Sequence, residues 1–369
     1  MCPALKKVPG TYSSRMTMLT NQLPSHSGWA TIFLMALELI GHDWAEKMLQ
    51  QHVATQQVRH AYLFTGAAGI GRRTLALRFA QALNCLKPPS AGTPCGVCRH
   101  CTQLERMQHP DLTIIQTEED ASTIKVDQVR DLQHALSLAP YEATYRIALL
   151  LNFEQATDSA QNALLKTLEE PNPKVILLVT ADMAENLLPT IVSRCEILHL
   201  RPAPLNELAK ALGQREGLEE EQADLLAHIS GGRPGYALHL LREPELLERR
   251  HQCLEDLLHL LPASRRERFA YVEVKLPKGS ERSEDREILR EAFSHWLSFW
   301  RDVLLVTTQA KVDLANPDHA DPIRRAAAAV TLQQARTIVQ RLENGISRLN
   351  NANLRVLADA LLLDWPRLS

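Results

Sequence analysis

The amino-acid sequence predicts an α/β fold, a parallel sheet covered by helices on both faces, with a small helical unit and a larger all-helical unit after it. Three observations predict this. A short apolar run, a glycine-rich loop and a helix-period stretch follow one another between Ala61 and Cys85. Further short apolar runs alternate with helix-period segments as far as Pro202. Beyond Pro202 and Pro204 the strand signals stop. Alternating strand and helix is the signature of a parallel sheet, because parallel neighbours need a crossover between them.

The elements follow in order. Residues 1–34 are polar and mixed, with Pro3, Pro9 and Pro24, and read as a flexible extension, with Met35 as an alternative start. From Leu37 the pattern is structured, and Trp44, Met48 and Leu49 fit one helix face. Ala61–Thr65 reads as a buried strand, and Leu75, Phe79 and Leu83 mark a helix over 74–85. Leu112–Ile115, Ile147–Leu151 and Val175–Thr180 read as strands, the last two apolar throughout, as suits strands covered on both faces. Val126–Leu138 and Ser159–Leu168 read as the helices between them. Asn206–Leu241 is a small helical unit broken at Gly231-Gly232-Arg233-Pro234-Gly235. From about Pro244 the chain is helical, with polar breaks at Pro277–Glu284 and Asn316–Pro322. The expected division is an extension over 1–34, the α/β domain over 35–202, the small helical unit over 203–243 and the larger one over 244–369.

Composition excludes several classes. Of 369 residues, 45% are hydrophobic and 23% charged, so the chain can build cores and is not disordered as a whole. A net charge of -2 excludes a globally basic nucleic-acid binder but not a local basic face. Aromatics at 5% argue against a single-strand binder built on stacking platforms. The longest apolar run, Trp29–Ile40, is too short to span a bilayer and contains Glu38. Only Gly41-His42-Asp43-Trp44 follows it, with no small-residue cleavage site, so a cytoplasmic location is expected, with no membrane partner.

The glycine loop runs Gly66-Ala67-Ala68-Gly69-Ile70-Gly71-Arg72-Arg73-Thr74. A working phosphate loop has the form G-x-x-x-x-G-K-[ST], with backbone amides around the phosphates, a lysine on them and a hydroxyl on magnesium. Here Gly66 and Gly71 keep the spacing, with Gly69 between them. Arg72 stands in the lysine position and Arg73 in the hydroxyl position, and Thr74 comes one residue late. A forked guanidinium is not a direct replacement for an ammonium. The strand over 147–151 ends in Leu151-Asn152-Phe153-Glu154, without the carboxylate that holds metal and polarises water in such enzymes. Two independent losses point to a loop that does not support ATP hydrolysis. Binding of the chain's own nucleotide is left open.

Four of the seven cysteines fall between positions 85 and 101. Cys95, Cys98 and Cys101 form C-x2-C-x2-C, and the loop holding Pro88, Pro89, Gly92 and Pro94 lets Cys85 join them. Four thiolates make a closed tetrahedral site, so the expected ion is a structural zinc. An iron–sulfur cluster is the other candidate, disfavoured because no redox partner motif accompanies it. His100 and His109 read as surface residues rather than ligands.

The stretch Asn162-Ala163-Leu164-Leu165-Lys166-Thr167-Leu168-Glu169-Glu170-Pro171 resembles the hallmark helix of bacterial clamp-loader subunits of the AAA+ family. Ser193-Arg194-Cys195 resembles their S-R-C motif. The helix ending in Cys85 and the cysteine excursion after it fit the same pattern, over about Leu37–Pro202. Within that family the match is to the δ′ type of DNA polymerase III rather than γ/τ, which keeps the lysine-threonine pair and the acidic strand end. Asn351-Ala352-Asn353-Leu354-Arg355 and Leu361-Leu362-Leu363 resemble the end of δ′ chains more weakly.

The resemblance implies a RecA-like AAA+ domain with a zinc module, a helical lid and a helical collar through which subunits close a ring. The partners it implies are γ/τ-type and δ-type subunits, the sliding clamp and primed DNA. It also implies that Arg194 reaches the ATP of a neighbouring subunit and stabilises charge on the transferring phosphoryl group, so that a chain without turnover governs turnover next door. Two other readings stand beside it: an active γ/τ-type ATPase in which Arg72 replaces the lysine, and a zinc-stabilised adaptor with no part in ATP turnover. Lys166, Glu169 and Glu170 read equally as a solvated face or a contact with subunit or DNA. Arg233 reads as structural, Cys195 as a buried small side chain, and Arg265, Arg266 and Arg268 as a solvated basic face.

Overall fold

The computed structural model describes residues 39–118, 121, 123–277 and 282–368. The expectations for residues 1–34 and for Met35 lie outside the described residues.

Five strands, β1 (Ala61–Thr65), β2 (Leu112–Ile115), β3 (Arg146–Leu150), β4 (Val175–Ala181) and β5 (Glu196–His199), form one parallel sheet in the order β2-β3-β4-β1-β5. Among the described residues six helices join or precede them: α1 (Asp43–Ala54), α2 (Arg72–Asn84), α3 (Arg99–Glu105), α4 (Val126–Ser137), α5 (Asp158–Glu169) and the single turn α6 (Pro189–Val192). Successive strand residues point to opposite faces. Ala61 and Leu63 therefore pack with Leu132 of α4 and Leu164 of α5. Tyr62 and Phe64 pack on the other face with Leu75 and Phe79 of α2 and Leu49 of α1. This is the α/β class expected. Because all strands run the same way, their carboxyl ends share one edge, where ligands of such sheets bind.

Several local expectations need correcting. Trp44 is 48% exposed, and α1 buries Ala45 and Leu49 instead. The small alanine lets α1 lie close to the sheet, and the indole is left outside. Strand β5 was not foreseen: it has four residues, lies at the sheet edge and is only partly buried, so it lacks a continuous apolar run. Helix α3, inside the cysteine excursion, carries too few apolar residues to show a period. The break assigned to Asn316–Pro322 ends earlier, at a 3-10 turn over Pro317–His319. Pro322 lies in the first turn of the next helix, where its missing N–H costs no hydrogen bond.

Beyond the sheet, α7 (Leu205–Glu216), α8 (Glu220–Ser230) and α9 (Pro234–Arg242) enclose Leu208, Leu212, Leu226 and Leu240. Gly217 and Gly231 end α7 and α8 at φ 69° and 60°, left-handed values that glycine adopts without a Cβ penalty. Six more helices follow: α10 (Pro244–Leu260), α11 (Arg265–Lys275), α12 (Arg282–Thr307), α13 (Ala320–Ala329), α14 (Leu332–Arg348) and α15 (Leu354–Leu363). Their core is built on Phe293, Trp296, Phe299, Trp300 and Trp365. Among the described residues no helix is long and apolar enough to cross a membrane.

Candidate functional site

The glycine loop joins β1 to α2 at the carboxyl edge of the sheet. It faces a cleft of about 510 Å³ lined by Gly69, Gly71, Arg72, Thr74, Asn152 and Thr180, among others. Gly66, Gly69 and Gly71 have φ 145°, 78° and 113°. The loop thus keeps a turn that side chains would strain. Its chemistry is altered. Arg72 is only 9% exposed, and its Nη2 donates to Asn152 Oδ1 at 3.0 Å. The residue in the lysine position is therefore bonded to the residue just past β3, where a carboxylate would stand in a hydrolytic site. Burial lowers the Arg72 pKa, against the opposing charges of Glu154 and Asp182. Burial raises that of Glu154, with Asp182 adding to it and Arg72 opposing it.

Helix α9 closes the loop from above. The amides of Gly235 and Tyr236 both donate to the Gly69 carbonyl, at 2.8 and 3.2 Å. A helix N-terminus offers free amides to anions, and here two of them are committed to the loop itself. Close approach requires glycine on both sides: a Cβ on Gly69 would lie 2.8 Å from Tyr236 Cβ, and one on Gly235 2.8 Å from the Gly69 oxygen. Arg233 donates to the Ser230 carbonyl at 2.6 Å and stacks over the Tyr236 ring at 4.5 Å. Its Nη1 also approaches the Ala68 carbonyl of the glycine loop at 3.5 Å, so these contacts hold the start of α9 against the loop.

Arg194 lies in the turn between α6 and β5. Its Nη1 donates to the Thr190 carbonyl at 2.9 Å, and its Nη2 pairs with Glu169 Oε1 at 2.9 Å. Both partners of that pair are substantially solvated, at 35% and 51% side-chain exposure. Such a solvated pair contributes about 0–1 kcal/mol, so it holds Arg194 only weakly. The sequence reading did not anticipate this link between the S-R-C turn and the hallmark helix. Lys166 and Glu170 are exposed on that helix. Cys195 packs against the sheet core, and burial pushes its thiol up to about 12.

Cys85, Cys95, Cys98 and Cys101 converge, with their sulfurs within 4.8 Å of one another. The amides of Cys95 and Cys98 donate to the sulfurs of Cys85 and Cys95, each at 3.3 Å. Such N–H···S bonds favour thiolates. For Cys98, burial opposes ionisation, but amide and thiol hydrogen bonds outweigh it and bring the thiol down to about 6. Burial pushes the Cys101 and Cys85 thiols up. Zinc binds thiolates, so binding at such a cluster releases the protons its thiols hold. The donor set and the convergent amides fit zinc.

His100 and His109 need correction. They are 4% and 3% exposed and stack edge to face at 4.7 Å. His100 Nδ1 donates to the Asn84 carbonyl at 2.9 Å, which fastens the excursion to the end of α2.

Comparison with known proteins follows the same lines. A family model described as DNA polymerase III, delta subunit, matches residues 41–204. DNA polymerase III subunit delta' of Pseudomonas aeruginosa is 39% identical over 227 residues, covering 60% of this chain and 67% of that protein. Subunit delta' of Bacillus subtilis is 28% identical over 319 residues, covering 86% and 94%. DNA polymerase III subunit tau of Escherichia coli is 33% identical over 191 residues, covering 48% of this chain and 29% of that protein.

Proposed function

The chain belongs to the δ′ family of DNA polymerase III clamp-loader subunits, and from that premise we propose that it supports ATP turnover at a neighbouring subunit without turning over ATP itself. One observation carries this reading: Arg72 and Asn152, at the positions of the lysine and the strand-end carboxylate of a hydrolytic site, are bonded to each other. With Arg73 in the hydroxyl position and Asn152 at the strand end, these two positions carry neither the metal-binding hydroxyl nor the carboxylate of a hydrolytic site.

Arg194 is the residue assigned to act on a neighbour. It stands on a short turn anchored by β5 and α6, half-exposed, with a guanidinium held only by a solvated pair and a carbonyl. A fixed guanidinium placed at a γ-phosphate offsets the charge that develops on the transferring group. The neighbour that supplies the ATP is a γ/τ-type subunit. The δ-type subunit, the sliding clamp and primed DNA are partners of the whole loader, which places the work in the cytoplasm during replication. The helices over 244–369 serve as the collar, those over 203–243 as the lid, and the zinc module over 85–101 as a structural excursion.

The adaptor reading has one observation in its favour, the Arg194–Glu169 pair, which gives the arginine a local partner. Two measurements test the proposal against its rivals. The chain should co-purify with γ/τ- and δ-type subunits, and alone it should turn over no ATP with magnesium. Turnover by the isolated chain that is abolished by Arg72→Ala would establish the active-ATPase reading instead.

A further inference from the structure

We infer that His251, Glu255 and His319 form a second metal site, one that takes a divalent transition ion of the zinc class and ties α10 to the turn between α12 and α13. His251 and Glu255 are one helical turn apart on α10, so both side chains leave the same face. His319 closes the 3-10 turn over Pro317–His319. One donor atom from each of the three lies within 4.8 Å of the others. His319 Nε2 is 3.8 Å from Glu255 Oε1, and the two imidazole rings are 6.0 Å apart between centroids. Ligands of a tetrahedral zinc sit about 3.3 Å apart, given metal–nitrogen bonds of about 2.0–2.1 Å. Closing that gap takes rotamer adjustment by the exposed His251 and the half-exposed Glu255, with no movement of the buried His319.

The surroundings support a cation. His319 is 5% exposed, and its Nδ1 has no well-aligned hydrogen-bond partner among the described residues, with Asp318 Oδ2 at 3.1 Å. The Asp318 carboxylate lies behind Nδ1, and the other ring nitrogen, Nε2, faces Glu255. This is the carboxylate–histidine–metal arrangement that orients ligands in known sites. Arg250 would repel a cation if it were free, but its guanidinium is held by Asp318 at 2.7 and 2.8 Å and by Asn316 at 2.8 Å. Two imidazoles and one carboxylate suit zinc and its transition-metal neighbours better than magnesium or calcium, which take all-oxygen sets.

A second cluster of similar make-up shows why the geometry matters. His100, His109 and Glu142 also lie together. There His109 Nδ1 accepts the Asp111 amide at 3.0 Å, so in the neutral ring the proton must sit on Nε2, the nitrogen facing Glu142. That nitrogen has no lone pair to give.

The test is titration of the full chain with zinc alone against a chromophoric chelator, repeated with cobalt. Cobalt on four thiolates gives intense sulfur-to-metal charge-transfer bands; cobalt on imidazole and carboxylate gives only weak visible bands. Wild type and the control His259→Gln, an exposed residue of the same helix outside the cluster, should take up two equivalents. His251→Gln and Glu255→Gln should take up one, with the thiolate bands intact. These two positions are solvated, so the variants keep the fold, which circular dichroism checks. Uptake of a single equivalent by wild type, or of two equivalents by both variants, overturns the site.

Discussion

Arg194 and Arg268 carry the same charge and do different work, and exposure separates them. Arg268 belongs to a basic run that reads as a solvated face, yet it is 4% exposed. It donates to the carbonyls of Leu260, Leu261, Leu362, Trp365 and Pro366. It bolts the last residues of the chain to the end of α10, while Arg265 and Arg266 remain in solvent. The Leu260, Leu261 and Leu362 carbonyls also accept backbone amides, so truncation would strip the donor from the Trp365 and Pro366 carbonyls, each costing about 1–3 kcal/mol if water does not replace the lost bond. Arg268→Ala should therefore lower stability by about 2–6 kcal/mol in urea unfolding. Arg194→Ala, which removes only a solvated pair, should change it by less than about 1 kcal/mol. Nothing in the spacing of Arg265, Arg266 and Arg268 distinguished the third from its neighbours. Three of the five carbonyls that hold it, those of Leu362, Trp365 and Pro366, come from nearly a hundred residues away.

At the scale of elements, the contact between α9 and the glycine loop is the clearest constraint on function. Gly235 allows the α9 backbone to touch the Gly69 carbonyl. Gly235→Ala would place a methyl against that oxygen and should separate helix from loop. The expected cost is about 1–3 kcal/mol, read as a lowered unfolding midpoint. The excursion that carries the four cysteines is the second such constraint. Stripping the metal with chelator, or Cys98→Ser, should open residues 85–101 to limited proteolysis and leave the sheet core resistant, because Leu63, Leu149 and Leu178 are buried independently of it.

Most elements were legible because their signals are local. Strands β1 and β2 have the expected bounds, and the buried Leu75, Phe79 and Leu83 mark α2. The cysteine cluster was equally legible, since metal-ligand spacing is a short-range pattern. What escaped depends on distant chain: β5 is held by pairing with β1, His100 by the end of α2, and the bond between Arg72 and Asn152 by the sheet that brings residues 72 and 152 together.

At the scale of the molecule, the parallel sheet, the three helices over 205–242 and the α-helical remainder share one chain but have distinct apolar cores. His228 of α8 donates to the Leu314 carbonyl at 2.6 Å and joins the second region to the third. The near-balanced charge suits a subunit whose main partners are proteins. The central claim concerns a neighbour's ATP site, so the most direct measurement is the ATPase rate of a loader reconstituted from γ/τ-type, δ-type and this subunit, with clamp and primed DNA. With Arg194→Ala, assembly should be unchanged and turnover at the site facing this chain should fall, by as much as about 10³-fold for a trans arginine. An undiminished rate from a fully assembled Arg194→Ala loader would contradict the claim and leave the chain as an adaptor.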